Sequence, residues 1–349
     1  MRSKLFATFL VLTLALSFAA VGMAQDTITP GTPVEGTYAD EEQVFTLSAT
    51  AGQLLIITLS ADEFDPRVEL GIDGSFVTGD DDSGGDDNAL LPYVVQADGT
   101  LELTVAAWSS GSAGAFTLAV DAVEPMMLVP GEAVTMTPPD AETLFMYGVI
   151  EATADTVVHI SANTTNPQGE DDMLVELVGT DAEEIERDDD DGPDSNALIR
   201  RVVLPDDGFY LVKFSSFGRD NFIIDPFEVS VESSERLFLS EEPQALVLGD
   251  AEGEIGTEVY FIDVEAGSTY RVVVEIEAMP DEDAGVEMKL LDTEFFFEPY
   301  MEARHMTRVV MEYTAGRTGQ VRLDVHPNFF GRDISQLNYT IALEVVAPE

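Results

Sequence analysis

The chain has 349 residues, with 67 acidic against 16 basic side chains and a formal net charge of −51, no cysteine and 45% apolar residues. That apolar content excludes a wholly disordered acidic tail. The charge excludes nucleic acid and anionic membranes as partners and favours cations or basic surfaces, and the missing cysteines exclude a disulfide framework.

The first stretch reads as a secretory signal peptide over residues 1–24. Arg2 and Lys4 precede an apolar run from Leu5 to Ala20, and Val21-Gly22-Met23-Ala24 places small residues before Gln25. The mature chain is therefore expected to be exported, to the extracellular space or the cell envelope, without membrane insertion. Removing Arg2 and Lys4 leaves 14 basic residues against 67 acidic ones.

Gln25 to Gly36 reads as a Pro/Thr/Gly-rich leader. Short alternating runs follow: Val44-Phe45-Thr46-Leu47, Leu54 to Leu59, Val68-Glu69-Leu70-Gly71-Ile72, Leu90 to Val95, Leu101 to Val105 and Phe116 to Val120. Turn signals at Ala51-Gly52 and Asp98-Gly99 separate them. Period-2 runs at this spacing predict an all-β sandwich or barrel, and no segment shows a long helical period. The plan then recurs, with Phe145 to Val149, Val157 to Ile160, Leu174 to Leu177, Ala197 to Leu204, Phe209 to Phe214 and Phe227 to Val231. A third set contains Val259 to Ile262, Tyr270 to Ile276, Val309 to Met311, Val321 to Val325 and Tyr339 to Val345. There Val286-Glu287-Met288 echoes the Val-Glu-Leu strand. Phe217-Gly218-Arg219-Asp220 recurs as Phe330-Gly331-Arg332-Asp333. Three units are expected, at 26–123, 124–233 and 234–349. The period is too long for a solenoid and suits tandem globular domains.

The sharpest repeat is acidic. Asp80-Asp81-Asp82-Ser83-Gly84-Gly85-Asp86-Asp87-Asn88-Ala89-Leu90 returns 108 positions later as Asp188-Asp189-Asp190-Asp191-Gly192-Pro193-Asp194-Ser195-Asn196-Ala197-Leu198, with eight of eleven positions identical. Calcium takes six to eight oxygen ligands, from carboxylates, amides and carbonyls. Oxygen side chains at alternating positions around a glycine suit that demand. The expected ligands are Asp80, Asp82, Asp86 and Asn88 around Gly84, and Asp188, Asp190, Asp194 and Asn196 around Gly192. A solvated Asp/Gly turn between strands is the plainer reading of the same residues. An EF-hand is a poor fit, because the terminal glutamate and flanking helices are missing. In the third unit Glu294 to Glu302 fills the slot, with Phe295-Phe296-Phe297 inside it, and no metal is expected there.

Together these residues carry a resemblance. Val44 to Ala49, then Ala51-Gly52-Gln53-Leu54, the Asp-Asp-x-Gly and Asn-Ala-Leu pieces, and a following Gly and Leu-x-Leu-x-Val strand resemble the bacterial pre-peptidase C-terminal domain. That family is related to the collagen-binding domains of clostridial collagenases. The resemblance covers the first two units; in the third only strands and turns correspond. It implies three tandem jelly-roll-like β-sandwiches, and an accessory, calcium-binding module rather than a catalyst. The expected function is a secreted, non-catalytic binding or structural protein at the cell envelope that contacts an extracellular protein, a polysaccharide or another copy of itself; the alternative is an accessory or chaperone-like partner of a secreted peptidase.

No catalytic residues are assigned. The histidines, His159, His305 and His326, stand in unrelated settings, and no nucleophile elbow or zinc spacing occurs. A hydrolase using paired carboxylates is weakly specified, because 67 acids always supply a pair. Trp108, Phe214, Phe217, Phe329 and Phe330 recur before the last strand of each unit, and packing at the sandwich edge is expected for them.

Overall fold

The computed structural model describes residues 26–165, 172–190, 192, 196–217, 222–248, 258–276, 284–291, 300–304, 307–329 and 337–346. The segments 1–24, Phe295-Phe296-Phe297, His305 and Phe330 to Asp333 lie outside them, as does Asp194.

Among the described residues the chain forms six sheets, which pack as three pairs. The first pair comes from β1 (Asp26–Thr27), β2 (Val34–Ala39), β3 (Gln43–Ala49), β4 (Leu54–Ser60), β5 (Pro66–Ile72), β6 (Ser75–Asp80), β7 (Ala89–Val94), β8 (Gly99–Ala107) and β9 (Ala113–Val123). One sheet runs β1-β3-β8-β5-β6 and its partner β2-β9-β4-β7. The chain crosses between layers at almost every connection, as in a jelly roll. Alternation supplies the reason: Phe45, Leu47, Leu70, Leu103 and Val105 from one layer meet Leu55, Ile57, Leu59, Phe116 and Leu118 from the other in one buried cluster. Truncating such a residue, for example Leu103, to alanine costs about 2–5 kcal/mol.

The second pair repeats this order strand for strand. Its strands are β10 (Met126–Met127), β11 (Ala133–Met136), β12 (Met146–Ala152), β13 (Val157–Thr164), β14 (Met173–Val178), β15 (Glu184–Asp188), β16 (Ala197–Val203), β17 (Gly208–Ser216) and β18 (Phe227–Ser234). The sheets are β10-β12-β17-β14-β15 and β11-β18-β13-β16. The third pair consists of β20-β25-β22-β23 and β19-β26-β21-β24. It uses β19 (Gln244–Leu248), β20 (Glu258–Val264), β21 (Thr269–Ile276), β22 (Ala284–Leu291), β23 (Tyr300–Arg304), β24 (Arg308–Thr314), β25 (Gly319–Phe329) and β26 (Leu337–Val346). The opening parallel strand shrinks here to a bridge, Phe238 to Phe261, matching the Thr27–Thr46 and Met127–Val149 pairs.

Two sequence expectations need correction. The supposed leader contains β1 and the first half of β2, and β11 lies in an equally polar stretch. These are short strands, β1 and β2 at sheet edges, and their Pro, Thr and Gly content hides the alternation that identifies a central strand. The Val286-Glu287-Met288 echo is displaced by two residues. Met288 pairs with Val325 where Val175 pairs with Phe214, so Met288-Lys289-Leu290 takes the place of Val-Glu-Leu. Lys289 therefore stands at the position of Glu69 and Glu176.

The sandwiches stack in series. The outer face of β4 and β7 packs on the outer face of β12, β14 and β17. Leu54, Val94, Val149 and Leu211 form its buried centre, with Ile56, Tyr147, Val178 and Phe209 around them. Gln96 clamps this seam, since its Nε2 donates to the Phe209 carbonyl (2.7 Å) and its Oε1 accepts from the Phe209 N–H (3.0 Å). The seam between the second and third sandwiches is ionic. Arg201 Nε lies 3.1 Å from Glu258, Arg322 lies 3.9 Å from Glu186, and Arg236 bonds Asp155.

Candidate metal centre

The acidic loop leaves β6 at Asp80, opposite Val68, and re-enters the fold at β7. The positions shared with its copy divide into a framework and a cluster. Asp80 belongs to the framework. Its Oδ2 accepts the N–H of Leu90 (2.8 Å) and of Ser83 (3.1 Å), and its Oδ1 accepts the Ser83 hydroxyl (2.6 Å). In the copy, Asp188 Oδ2 accepts the Leu198 N–H at 2.7 Å. Each first aspartate thus fastens the end of one strand to the start of the next. Asn88 Oδ1 accepts the Ala61 N–H (3.1 Å), and Asn196 Oδ1 accepts the Thr164 N–H (2.8 Å). Each asparagine thus ties its loop to the loop leaving β4 or the end of β13. The glycines are required by close approach: a Cβ on Gly84 would lie 2.8 Å from the Asn88 carbonyl oxygen, and one on Gly192 2.5 Å from that of Asn196. Asp86 and Asp87, at φ +51° and +59°, are the centre of a tight turn closed by the Asn88 N–H on the Gly85 carbonyl (3.0 Å). Aspartate tolerates this left-handed conformation better than most residues.

The cluster is composed of other carboxylates. Asp82, though exposed, has a pKa raised by partial loss of hydration among its neighbours, then by repulsion from Asp81, Asp87 and Asp80. Asp65, just before β5, is raised in the same way, by shelter and then by Asp82, Asp81 and Asp87. Its Oδ1 is closed off from solvent and has no hydrogen-bond partner among the described residues. Among the described residues of the second loop, Asp188, Asp189 and Asp190 each bring a carboxylate oxygen within 4.8 Å of the others. Asp172 faces them, with a pKa raised by burial and then by Asp189 and Asp190. Two oxygens on one calcium at about 2.4 Å each lie no more than about 4.8 Å apart. A sheltered, unpartnered carboxylate oxygen facing several others, all hard donors, fits a calcium-type ion. In the second loop Asp188, Asp189 and Asp190 are close enough to share one ion, with Asp172 beside them. In the first loop Asp65, Asp81, Asp82 and Asp87 act on one another by charge, but no three of them bring oxygens that close together, so an ion there would have to draw the loop in.

The alternating set expected from sequence is thus divided. Asp82 joins a cluster, and so do Asp188 and Asp190. Asp80, Asn88 and Asn196 turn to backbone groups, and Asp86 is not among the charges acting on Asp65 or Asp82. Asp65 and Asp172 were missed because they lie far away in sequence. Their signal was present, since each stands three residues before the valine of the Val-Glu-Leu strand.

An aromatic ring borders each cluster. The N–H of Trp108 donates to the Asp65 carbonyl (3.1 Å), and that of Phe217 to the Asp172 carbonyl (2.6 Å). Both rings are 64% exposed, whereas Phe214 is fully buried. Edge packing, expected for all of them, holds for Phe214 and fails for Trp108 and Phe217. His159 is built into β13, with Nε2 3.1 Å from Ser234 Oγ. Burial and then the charges of Arg201 and Arg200 push its pKa down to about 4.

No family model matches the chain, and no curated protein sequence matches it. Among solved structures, the pre-peptidase C-terminal domain of a Bacillus anthracis collagenase is similar over 28% of this chain and 93% of its own, at 15% identity and a TM-score of 0.24. The CUB1-EGF-CUB2 region of human MASP-1/3 matches over 61% of this chain and 99% of its own, at 9% identity and a TM-score of 0.18. A Clostridium perfringens ZmpB structure, with an M60 catalytic domain and two CBM51 domains, matches over 91% of this chain and 38% of its own, at 9% identity and a TM-score of 0.19. Scores of this size carry no functional weight.

Proposed function

We propose that this chain is an exported, non-catalytic β-sandwich array. Its first two units are stabilised by calcium, and it contacts an extracellular protein, a polysaccharide or another copy of itself. The observation that supports this reading is the doubled carboxylate cluster. Asp81, Asp82 and Asp87 face Asp65, and Asp188 to Asp190 face Asp172, in each case from a loop whose framework residues hold it in place. Without a cation the carboxylates repel, by about 1 kcal/mol per pair at 4 Å in water and several-fold more near a protein surface. A cation reverses that sign. At an affinity of about 0.1 mM and about 1 mM calcium, binding adds about 1.4 kcal/mol per site.

Calorimetric titration of calcium into the decalcified mature chain tests this. Two sites are expected, with Asp82→Asn removing one and Asp190→Asn the other. Absence of heat, together with no melting shift at about 5 mM calcium, a concentration saturating for extracellular modules, ends the proposal.

A further inference from the structure

Each later sandwich is covered on one sheet face by the sandwich before it. The same face of the first sandwich, on β3, β8, β5 and β6, stands at the end of the described stack. It carries two exposed rings, Phe76 at 67% and Trp108 at 64%. A lone exposed ring needs no explanation. These two line one open recess of about 250 Å³, together with Arg67, Glu69, Gly79, Asp80 and Asp81.

Strand register builds the recess. Val68 and Leu70 point into the core, so Arg67, Glu69 and Gly71 form the outward row of β5. Phe76 pairs with Gly71 and Gly79 with Glu69, while Arg67 pairs with Ala106, two residues before Trp108. No side chain fits beside Glu69, because a Cβ on Gly79 would lie 2.9 Å from the Val68 carbonyl oxygen. The recess therefore opens where the sheet face is bare. Charge selects its occupant. Three carboxylates, Glu69, Asp80 and Asp81, stand against one guanidinium, and Arg67 is already bonded to Glu69. Glu102 lies beside Gly71 on the same face, in a chain whose formal charge is −51. This field repels an anion and gives a neutral ligand nothing. A cation gains from the carboxylates and again from the aromatic rings, whose faces attract ammonium and guanidinium groups.

We infer that this recess docks a basic peptide segment, with an arginine or lysine side chain seated against Phe76 and Trp108 and facing Asp81. The inference rests on the reading of the chain as a non-catalytic contact protein, and adds the face and the chemistry of the partner. It does not require calcium in the acidic loops.

Trp108 is the only tryptophan in the chain, so its fluorescence reports on the recess directly. The test titrates the mature chain with the capped peptide Gly-Arg-Gly-Arg-Gly, and with the same peptide carrying citrulline, which keeps the shape and removes the charge. The buffer is free of calcium, because Asp81 also belongs to the carboxylate cluster; a failed titration thus leaves the calorimetric calcium test standing. A saturable change in Trp108 emission is expected, with the arginine peptide at least tenfold tighter than the citrulline peptide. Phe76→Ala should weaken the arginine peptide about tenfold and Asp81→Asn about threefold. Phe217→Ala, which removes the equally exposed ring of the second sandwich, should change nothing. Absence of a response, equal affinity for the two peptides, wild-type affinity in Phe76→Ala, or an equal loss in Phe217→Ala overturns the proposal. A saturable response to chitohexaose with none to the arginine peptide also overturns it, and leaves the contact reading in place.

Discussion

The two seams solve one docking problem with opposite chemistry. The same pair of sheet faces meets at each, yet the first centres on Leu54, Val94, Val149 and Leu211 and the second on Arg201–Glu258, Arg322–Glu186 and Arg236–Asp155. Apolar contact is non-directional and insensitive to salt, so it joins the first two sandwiches firmly. Ion pairs at a partly exposed junction give back most of their Coulomb gain in desolvation, and hold geometry more than they add stability. At the front of the stack the corresponding face of the first sandwich carries Thr46 and Glu102 in place of Val149 and Leu211.

Four perturbations separate the seams, from the largest effect to the smallest. Leu211→Asp puts a carboxylate among apolar side chains without a cation. It should cost about 3 kcal/mol or more, and scanning calorimetry should show the first two sandwiches melting separately. At the other seam, Arg201→Met removes the partner of Glu258. Burial already raises the pKa of Glu258, so it escapes by taking a proton, and the loss in urea unfolding should be about 1–3 kcal/mol. The double change Arg201→Met/Glu258→Met should recover most of it. Gln96→Ala leaves the Phe209 N–H and carbonyl without their partners, and about 1–2 kcal/mol should be lost. Urea midpoints followed against pH give the finest contrast. Burial, then Arg201 and Arg200, hold the His159 pKa down to about 4, below the ordinary histidine value of 6.5, so its contribution is complete above 6.5 and is lost as pH falls towards 4. Glu258 has the opposite sign: its contribution is complete below the ordinary glutamate value and fades as pH rises through its raised pKa. His159→Gln should therefore flatten the fall between 6.5 and 4, and a profile unchanged by this substitution would contradict a depressed His159 pKa in the folded chain.

Much of the fold was legible in the residues. Leu54 to Leu59 and Leu101 to Val105 alternate cleanly because one face of each strand is buried, and the acidic repeat announced the duplication. The sheet edges were not legible, since Asp26–Thr27 is only two exposed residues and the inward row of Val34–Ala39 has a glycine between Val34 and Tyr38. At the loop, the hydrogen-bond partners of the side chains were not legible. Asp80 and Asn88 look like ligands in sequence because the same side-chain oxygens serve cations and backbone N–H groups equally well. Only the fold shows which they face, and only the fold brings Asp65 and Asp172 to the clusters. The seams were invisible to periodicity, because Val149 and Phe261 lie on strand faces that read as solvent-facing in an isolated sandwich.

Scanning calorimetry of the decalcified mature chain, with and without about 5 mM calcium, tests the joint account of loops and seams most directly. Two transitions are expected. The larger contains the first two sandwiches and shifts upward with calcium, whereas the smaller, from the third, stays in place. A profile that calcium leaves unchanged, or one in which the third sandwich shifts with the others, would contradict it.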